Sequence, residues 1–228
     1  HRMTAPTILF DLDGTLLSTA PDLLASLNFV MEQEGLRPLT QAEVGYQFGQ
    51  GARAMIIHAY KHNAARADDG HLAALTERFV QHYADNMPGQ SALFPGLAEA
   101  MARLENAGMT LAVCTNKREE LASRLLDGLD LSRRFAAICG GDTFPVRKPD
   151  GKHLTMTVER AGGDPSRAVM IGDSSSDILG AKDANMPSIA VPFGYTDKPV
   201  ESFGPDRIIE AYSELTADLV EDLLNGGA

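Results

Sequence analysis

The chain is poor in the features that mark several large classes of protein. Its 228 residues include only two cysteines, Cys114 and Cys139, too few for a disulfide framework. Both lie in or beside apolar runs, so we interpret them as buried reduced thiols and expect a cytoplasmic protein. No apolar run is long enough to cross a bilayer, and the first residues lack the pattern of a secretory signal. We therefore expect neither a disulfide-stapled secreted domain nor a membrane protein.

Basic residues are scarce relative to acidic ones. The 20 lysines and arginines face 31 aspartates and glutamates, which gives a net charge of −11. Nucleic-acid binding needs a concentrated basic surface, so no nucleic-acid partner is expected. An anionic phosphate ester would also be repelled unless its site were locally positive. A bound cation is therefore expected at any such site.

Short apolar runs predict the strands of a parallel sheet, because continuous apolar runs are typical of strands covered on both faces. These runs span residues 7–10, 109–113, 136–139, 168–171 and 188–191. Helical patterns separate the later runs, at residues 96–107, 117–126, 151–161 and 175–184. The alternation predicts an α/β fold with a doubly wound parallel sheet and a ligand crevice at the carboxyl ends of its strands.

The long segment between the first two apolar runs predicts an inserted helical module. From about residue 16 to residue 93 the sequence has helical periodicity and no convincing strand. A crossover between parallel strands needs only about a dozen residues, so this connection is far longer than necessary. We predict an α/β core of residues 1–16 and 93–228, with a helical cap domain of residues 17–92 over the crevice.

The strongest chemical signal is the run Asp11-Leu12-Asp13-Gly14-Thr15, directly after the first predicted strand. Two carboxylates at this spacing can both face the crevice, and they repel each other unless a cation or a shared proton intervenes. Gly14 permits the tight turn that this arrangement requires. The alternative is an ordinary Asp-Gly turn with an accidental second aspartate.

A second acidic pair, Asp173 and Asp177, follows the run that ends near Gly172. If a helix begins near Ser174, both carboxylates lie at its N-terminal end, where acidic groups are favourable and capping is an alternative explanation. Two carboxylates exceed what a cap needs, and ligation of a hard cation accounts for the pair better.

Two further polar groups follow predicted strands. Thr115 and Asn116 can hydrogen-bond phosphoryl oxygens, although capping of the next helix is an alternative explanation for them. Lys148, ahead of Pro149, can balance the charge of a phosphate and carboxylates, although Arg147 beside it leaves open which of the two is simply solvated. Because parallel strands deliver their carboxyl ends to one edge, all four signals are expected to converge.

Other common site patterns are absent from the sequence. It contains no G-x-S-x-G nucleophile elbow and no Walker loop. Its six histidines are scattered without zinc-ligand spacing.

The four signals, in their order along the chain, resemble the motifs of the haloacid dehalogenase superfamily, and the helical insertion resembles its cap. Within the superfamily the chain most resembles the phosphoglycolate phosphatases. By this resemblance, Asp11 attacks phosphorus and becomes a transient aspartyl phosphate, and Asp13 protonates the leaving alkoxide and then activates water. Thr115, Asn116 and Lys148 would hold the transferring phosphoryl group.

The resemblance also implies a Mg²⁺ cofactor. Its ligands would be the carboxylates of Asp11 and Asp173 and the backbone carbonyl of Asp13, with Asp177 as a further or outer ligand.

Gly14, Thr15 and Arg53 are the expected substrate-binding residues. Arg53 follows Gly49-Gln50-Gly51, a stretch that resembles the family's cap loop, and would meet the carboxylate of a small substrate such as 2-phosphoglycolate. The alternative is a glycine-rich turn followed by a solvated arginine.

Three functions remain open from the sequence. The first is a phosphatase that hydrolyses a small phosphorylated metabolite, acting as a monomer or homodimer. The second is a sugar phosphomutase of the same fold, which needs the same acid/base. The third is a non-catalytic module of receiver type, which would need neither the cap nor Asp13 as a proton donor.

Overall fold

The computed structural model describes residues 4–226, so the ends of the predicted core, residues 1–3 and 227–228, lie outside the described residues. The strands are β1 (Thr7–Phe10), β2 (Leu17–Ser18), β3 (Ala92–Leu93), β4 (Thr110–Cys114), β5 (Ala137–Cys139), β6 (Ala168–Gly172), β7 (Ser188–Ala190) and β8 (Arg207–Ile208). The helices are α1 (Ala20–Gln33), α2 (Gln41–Val44), α3 (Ala52–His62), α4 (Asp69–Asp85), α5 (Leu97–Asn106), α6 (Glu119–Gly128), α7 (Gly151–Arg160), α8 (Ser175–Asp183) and α9 (Ala217–Leu224).

Six strands form one parallel sheet in the order β5-β4-β1-β6-β7-β8. Strand β1 lies between β4 and β6, and its four residues are all buried, as a continuous apolar run predicts. Helices α5 to α8 alternate with the strands, as expected for a doubly wound sheet. The predicted α/β fold class is confirmed.

Between β2 and β3 the chain forms helices α1 to α4, which we call the four-helix segment (residues 20–85). It has an apolar core of its own, distinct from those on the sheet. The spacing of Leu23, Leu27 and Val30 places them on one buried face of α1. At α2, Thr40 and Glu43 form a reciprocal capping box.

The expectation of no strand between residues 16 and 93 is wrong at both ends of that range. Strand β2 pairs antiparallel with β3, through Leu17 with Leu93 and Ser18 with Ala92. Strands of two residues are too short to produce a periodic pattern, so the sequence gives no sign of them. This ribbon brackets the four-helix segment, and the predicted boundaries at residues 17 and 92 fall within it.

Two elements beyond the last predicted strand also have no counterpart in the sequence-based prediction: edge strand β8 and helix α9. Within residues 4–226, no helix combines the length and apolar character that crossing a membrane requires.

Candidate active site

The carboxyl ends of three adjacent strands bring the predicted site residues together. Asp11 follows β1, Thr115 follows β4 and Asp173 follows β6, and all three side chains are buried. Lys148 arrives from the connection between β5 and α7 and is also buried. The polar groups that the sequence places after strands therefore do meet at one edge of the sheet.

Lys148 lies between two of the carboxylates. Its Nζ donates to Oδ1 of Asp11 at 3.0 Å, to Oδ1 of Asp177 at 2.6 Å and to the carbonyl of Cys114 at 2.7 Å. Burial disfavours the ammonium charge, but the two carboxylates outweigh it and raise the pKa of Lys148 above its ordinary value. Of the two basic residues at this point in the chain, Lys148 is the buried one and Arg147 the exposed one.

The charged form of the Asp11 carboxyl group is disfavoured despite this ion pair. Burial and the neighbouring charge of Asp177 raise the pKa of Asp11 to about 7, while Lys148 opposes the rise. Burial and the charge of Asp11 likewise raise the pKa of Asp173. The carboxylates of Asp11, Asp173 and Asp177 therefore carry more negative charge than Lys148 neutralises.

Gly14 and Thr15 lie against Asp173. Gly14 has a φ of +83°, and a Cβ there would collide with Oδ2 of Asp173, so the close approach requires glycine. The Thr15 hydroxyl donates to Oδ1 of Asp173 at 3.0 Å, and the Tyr195 N–H donates to Oδ2 at 2.6 Å. Gly14 and Thr15 thus help to fix this carboxylate, and their contact with substrate stays a prediction.

Asp177 both caps helix α8 and pairs with Lys148. Its Oδ2 accepts from the N–H groups of Asp173 and Ser174 at 3.0 and 3.1 Å, while Oδ1 accepts from Lys148. Capping and a role in the charged cluster are therefore compatible. With both oxygens engaged, Asp177 suits an outer position around a cation better than a direct one.

The carboxylates fit a divalent cation. One oxygen from each of Asp11, Asp173 and Asp177 lies within 4.8 Å of the others, and no lysine bridges Asp173 to them among the described contacts. Oxygen ligands and excess negative charge are what hard cations such as Mg²⁺ select. The donor set and the raised pKa values of Asp11 and Asp173 are therefore those of a cation site.

Thr115 and Asn116 are not the cap of the following helix, because α6 begins at Glu119 and Arg118 occupies the capping position. The Asn116 side chain donates to the carbonyl of Lys148 at 3.0 Å and accepts from its N–H at 3.1 Å. Asn116 therefore anchors the backbone that presents Lys148. The Thr115 hydroxyl accepts from the Lys117 N–H at 3.1 Å.

Lys117 is a charged residue of the site that the sequence-based prediction missed. Its Nζ lies 2.9 Å from Oδ1 of Asp13 and 2.9 Å from the hydroxyl of Tyr83 on α4, and its side chain is only 8% exposed. The hydroxyl of Thr19 donates to the same Asp13 oxygen at 2.7 Å. The one sequence signal was a lysine directly after Thr115-Asn116, and its partner Asp13 is 104 residues away.

A cavity of about 260 Å³ lies between this edge of the sheet and the four-helix segment. Asp11, Asp13 and Thr115 line its sheet side, and residues 49–53 line part of the opposite side. Arg53 is half exposed, and its Nη2 lies 3.4 Å from Oδ1 of the exposed Asp69. The glycine-rich stretch does border the cavity, but the substrate contact of Arg53 stays a prediction.

Known proteins resemble this chain over nearly its whole length. Proteins named phosphoglycolate phosphatase from Agrobacterium fabrum and Mesorhizobium japonicum are 48% and 47% identical to it. The first alignment covers 100% of this chain and 97% of the relative, and the second covers 97% and 98%. A Haemophilus somnus crystal structure, described as "a predicted phosphoglycolate phosphatase", superposes with a TM-score of 0.86 at 26% identity. It covers 98% of this chain and 100% of its own.

A family model described as "Haloacid dehalogenase-like hydrolase" matches residues 8–191, which include every predicted site residue. The match favours the hydrolase interpretation over a receiver-like module. The chain belongs to the haloacid dehalogenase-like hydrolase family.

Proposed function

We propose that the protein is a Mg²⁺-dependent phosphatase that hydrolyses a small phosphate monoester through an aspartyl phosphate on Asp11. The observation that carries the proposal is the pairing of Asp11 with Lys148 beside a cation-type carboxylate cluster. The phosphoglycolate phosphatase name of the full-length relatives supports it.

In the first step, a carboxylate oxygen of Asp11 forms a bond to phosphorus as the bond from phosphorus to the ester oxygen breaks. Lys148 lies beside Asp11 and offsets the negative charge that builds on the phosphoryl oxygens. Thr115 is buried at the next strand end and offers a hydroxyl to the same group, while Asn116 holds Lys148 in position.

Asp13 borders the same cavity and serves as the acid and base. It gives a proton to the departing alkoxide and then takes one from the water that hydrolyses the aspartyl phosphate. Lys117 and Thr19 hold one oxygen of its carboxylate, which leaves the other for proton transfer.

Mg²⁺ would be held by the carboxylates of Asp11 and Asp173 and the backbone carbonyl of Asp13, with Asp177 in an outer position. When bound, it supplies positive charge that lets an anionic ester approach the Asp11 carboxylate.

2-Phosphoglycolate is the proposed substrate, because the relatives bear that name and the cavity suits a small molecule. Residues 17–92 would act as a cap, and Arg53 at its edge would pair with the carboxylate of the substrate. Hydrolysis is preferred to the phosphomutase alternative because these relatives are named as phosphatases. A cytoplasmic location and a monomeric or dimeric state stay predictions.

A phosphate-release assay on 2-phosphoglycolate, with Mg²⁺ and with chelator, tests the proposal. Wild type should release phosphate only with Mg²⁺, and Asp11→Asn should lose at least about 10⁴-fold in turnover. Asp85→Asn, an exposed carboxylate on α4, is the matched control and should keep full activity. Unchanged turnover in Asp11→Asn, or full activity with chelator, would contradict the proposal. In a parallel incubation with a sugar phosphate, isomerisation without phosphate release would indicate the mutase instead.

A further inference from the structure

The hydroxyl that should cap helix α1 is used elsewhere. Thr19 directly precedes the helix, and a threonine at this position ordinarily accepts a hydrogen bond from an N–H of the first turn. Here the Thr19 hydroxyl is turned to Asp13 and donates to its Oδ1 at 2.7 Å. The start of α1 therefore needs another acceptor.

Tyr195 supplies that acceptor from the far end of the sequence. Its phenol oxygen accepts from the N–H of Thr19 and from the N–H of Ala20, both at 2.9 Å. The next residue, Pro21, has no N–H to satisfy. The phenol oxygen thus caps a helix that begins 175 residues earlier in the chain.

The backbone of Tyr195 is fixed against the site itself. Its N–H donates to Oδ2 of Asp173 at 2.6 Å, and a Cβ on Gly14 would lie only 2.9 Å from the Tyr195 nitrogen. Its ring packs against Phe48 of the four-helix segment, with ring centroids 5.5 Å apart. Tyr195 therefore holds the start of α1 at a set distance from the carboxylates.

We infer that Tyr195 is a positioning residue: its hydroxyl anchors the start of α1 and so holds the Thr19 hydroxyl where it orients Asp13. The inference rests on the proposed acid/base role of Asp13. It adds a residue that touches neither substrate nor Asp13 and acts through Thr19.

The physical reason is that Thr19 directly precedes α1 and moves with its first turn. Without the phenol oxygen, the N–H groups of Thr19 and Ala20 lose their acceptor in a largely buried position, which is unfavourable. The first turn of α1 then shifts, and it carries the Thr19 hydroxyl away from Oδ1 of Asp13. Asp13 would keep Lys117 but lose the second group that fixes its carboxylate.

The test is the dependence of kcat/KM on the leaving group, measured with a series of substituted phenyl phosphates. This ratio covers steps up to departure of the alcohol, where Asp13 supplies its proton. An enzyme with a well-placed acid depends weakly on the leaving group, whereas one with a misplaced acid fails most on poor leaving groups. We expect Tyr195→Phe to lose about tenfold more on phenyl phosphate than on 4-nitrophenyl phosphate.

A merely structural defect would lower kcat/KM by the same factor across the series. Such a uniform loss in Tyr195→Phe, or no loss at all, overturns the inference. Thr19→Val removes the hydroxyl that contacts Asp13 and should steepen the dependence of kcat/KM on the leaving group in the same way. This variant tests the inference if Tyr195→Phe does not fold. The double variant should be no steeper than the steeper single variant. Additive steepening contradicts the inference.

Two references separate this inference from the proposed function. Asp13→Asn should give the steepest dependence in the set. If Asp13→Asn behaves like wild type, the proposed acid/base role fails. If Asp13→Asn is steep while Tyr195→Phe and Thr19→Val match wild type, only the inference about Tyr195 fails. Tyr46→Phe, an exposed tyrosine ahead of the 49–53 stretch, is the matched control and should leave the series unchanged.

Discussion

The charged cluster at the strand ends is buried and multiply paired, whereas Arg53 across the cavity is exposed and forms one ion pair. The Lys148 side chain is 1% exposed and contacts two carboxylates and a carbonyl. Arg53 across the cavity is 52% exposed, and its partner Asp69 is 97% exposed. Lys148 is thus held by several buried contacts, whereas Arg53 is held by one exposed ion pair.

This difference matters because burial changes how much the loss of an ion pair lowers the free energy of unfolding. Removing one partner of a buried pair leaves an uncompensated charge and costs about 3–5 kcal/mol. An exposed pair contributes about 0–1 kcal/mol, so either partner is easily drawn to a ligand. We interpret the sheet side as fixed for reaction at phosphorus and the helical side as adjustable for the rest of the substrate.

The largest expected effect comes from breaking the buried pair. Lys148→Met leaves Asp11 and Asp177 without their cation, so it should lower the free energy of unfolding of metal-free protein by about 3 kcal/mol. Loss of the charge beside the phosphoryl group should also lower kcat by about 10³-fold. Urea unfolding and phosphate release measure the two effects. Lys152→Met, an exposed lysine four residues later, is the control, and equal stability of the two variants would contradict the account.

The next largest effect is the pH dependence of stability caused by a buried histidine on the sheet side. His153 is fully buried, its Nδ1 accepts from the Lys148 N–H at 3.1 Å, and burial lowers its pKa to about 4. The unfolded chain takes up a proton near pH 6.5 while the folded protein does not, so the contribution of His153 to stability should fall by about 3 kcal/mol as the pH drops from 6.5 toward 4.

His153→Asn keeps an acceptor for the Lys148 N–H but cannot titrate, so its free energy of unfolding should fall less between pH 7 and pH 4.5 than that of wild type. His82→Asn, on α4 of the four-helix segment, removes a histidine whose Nδ1 also has a hydrogen-bond partner. Its pH dependence provides the comparison from the other side of the cavity. An unchanged pH dependence in His153→Asn would show that the histidine is not held neutral by burial.

Lys117 sharpens the comparison because it touches both sides, Asp13 on the sheet and Tyr83 on α4. Lys117→Met should lower kcat/KM by about 100-fold, since it removes a buried cation that holds Asp13 beside the reacting group. Lys61→Met on α3, an exposed lysine, is the control. A change confined to stability, with kcat/KM intact, would make Lys117 a purely structural link between the two sides.

The smallest effect is expected on the adjustable side. Arg53→Ala should raise KM for 2-phosphoglycolate about tenfold, by removing a charge-assisted contact to the substrate carboxylate. For ethyl phosphate, which lacks that carboxylate, the KM of the variant should equal that of wild type. Arg66→Ala, in the connection between α3 and α4, is the control. An equal loss on both esters would argue against recognition of the carboxylate.

The sheet side was largely predictable because its chemistry follows from local rules. Buried strands read as continuous apolar runs, and parallel strands end at one edge, so Asp11, Thr115 and Asp173 could be brought together from sequence. The partners of Asp13 were not predictable in this way. Lys117 lies 104 residues from it, and Tyr195 reaches Thr19 across 176 residues, through contacts that no periodicity encodes.

The missed strands have a similar cause. Strands β2, β3 and β8 have two residues each, and β8 carries a polar residue, Arg207, at the edge of the sheet. Their pairing is decided by distant segments rather than by their own composition.

The central claim, that Asp11 carries the phosphoryl group, can be tested by trapping the intermediate. Wild type and Asp13→Asn are mixed with Mg²⁺ and 4-nitrophenyl phosphate, whose leaving group needs little help from an acid, and are then quenched in acid, digested and mapped by mass spectrometry. The account predicts one added phosphoryl group on the peptide that contains Asp11, more abundant in Asp13→Asn, and none on that peptide in Asp11→Asn. Phosphoryl on another residue, or continued turnover with an unmodified Asp11 peptide, would contradict it.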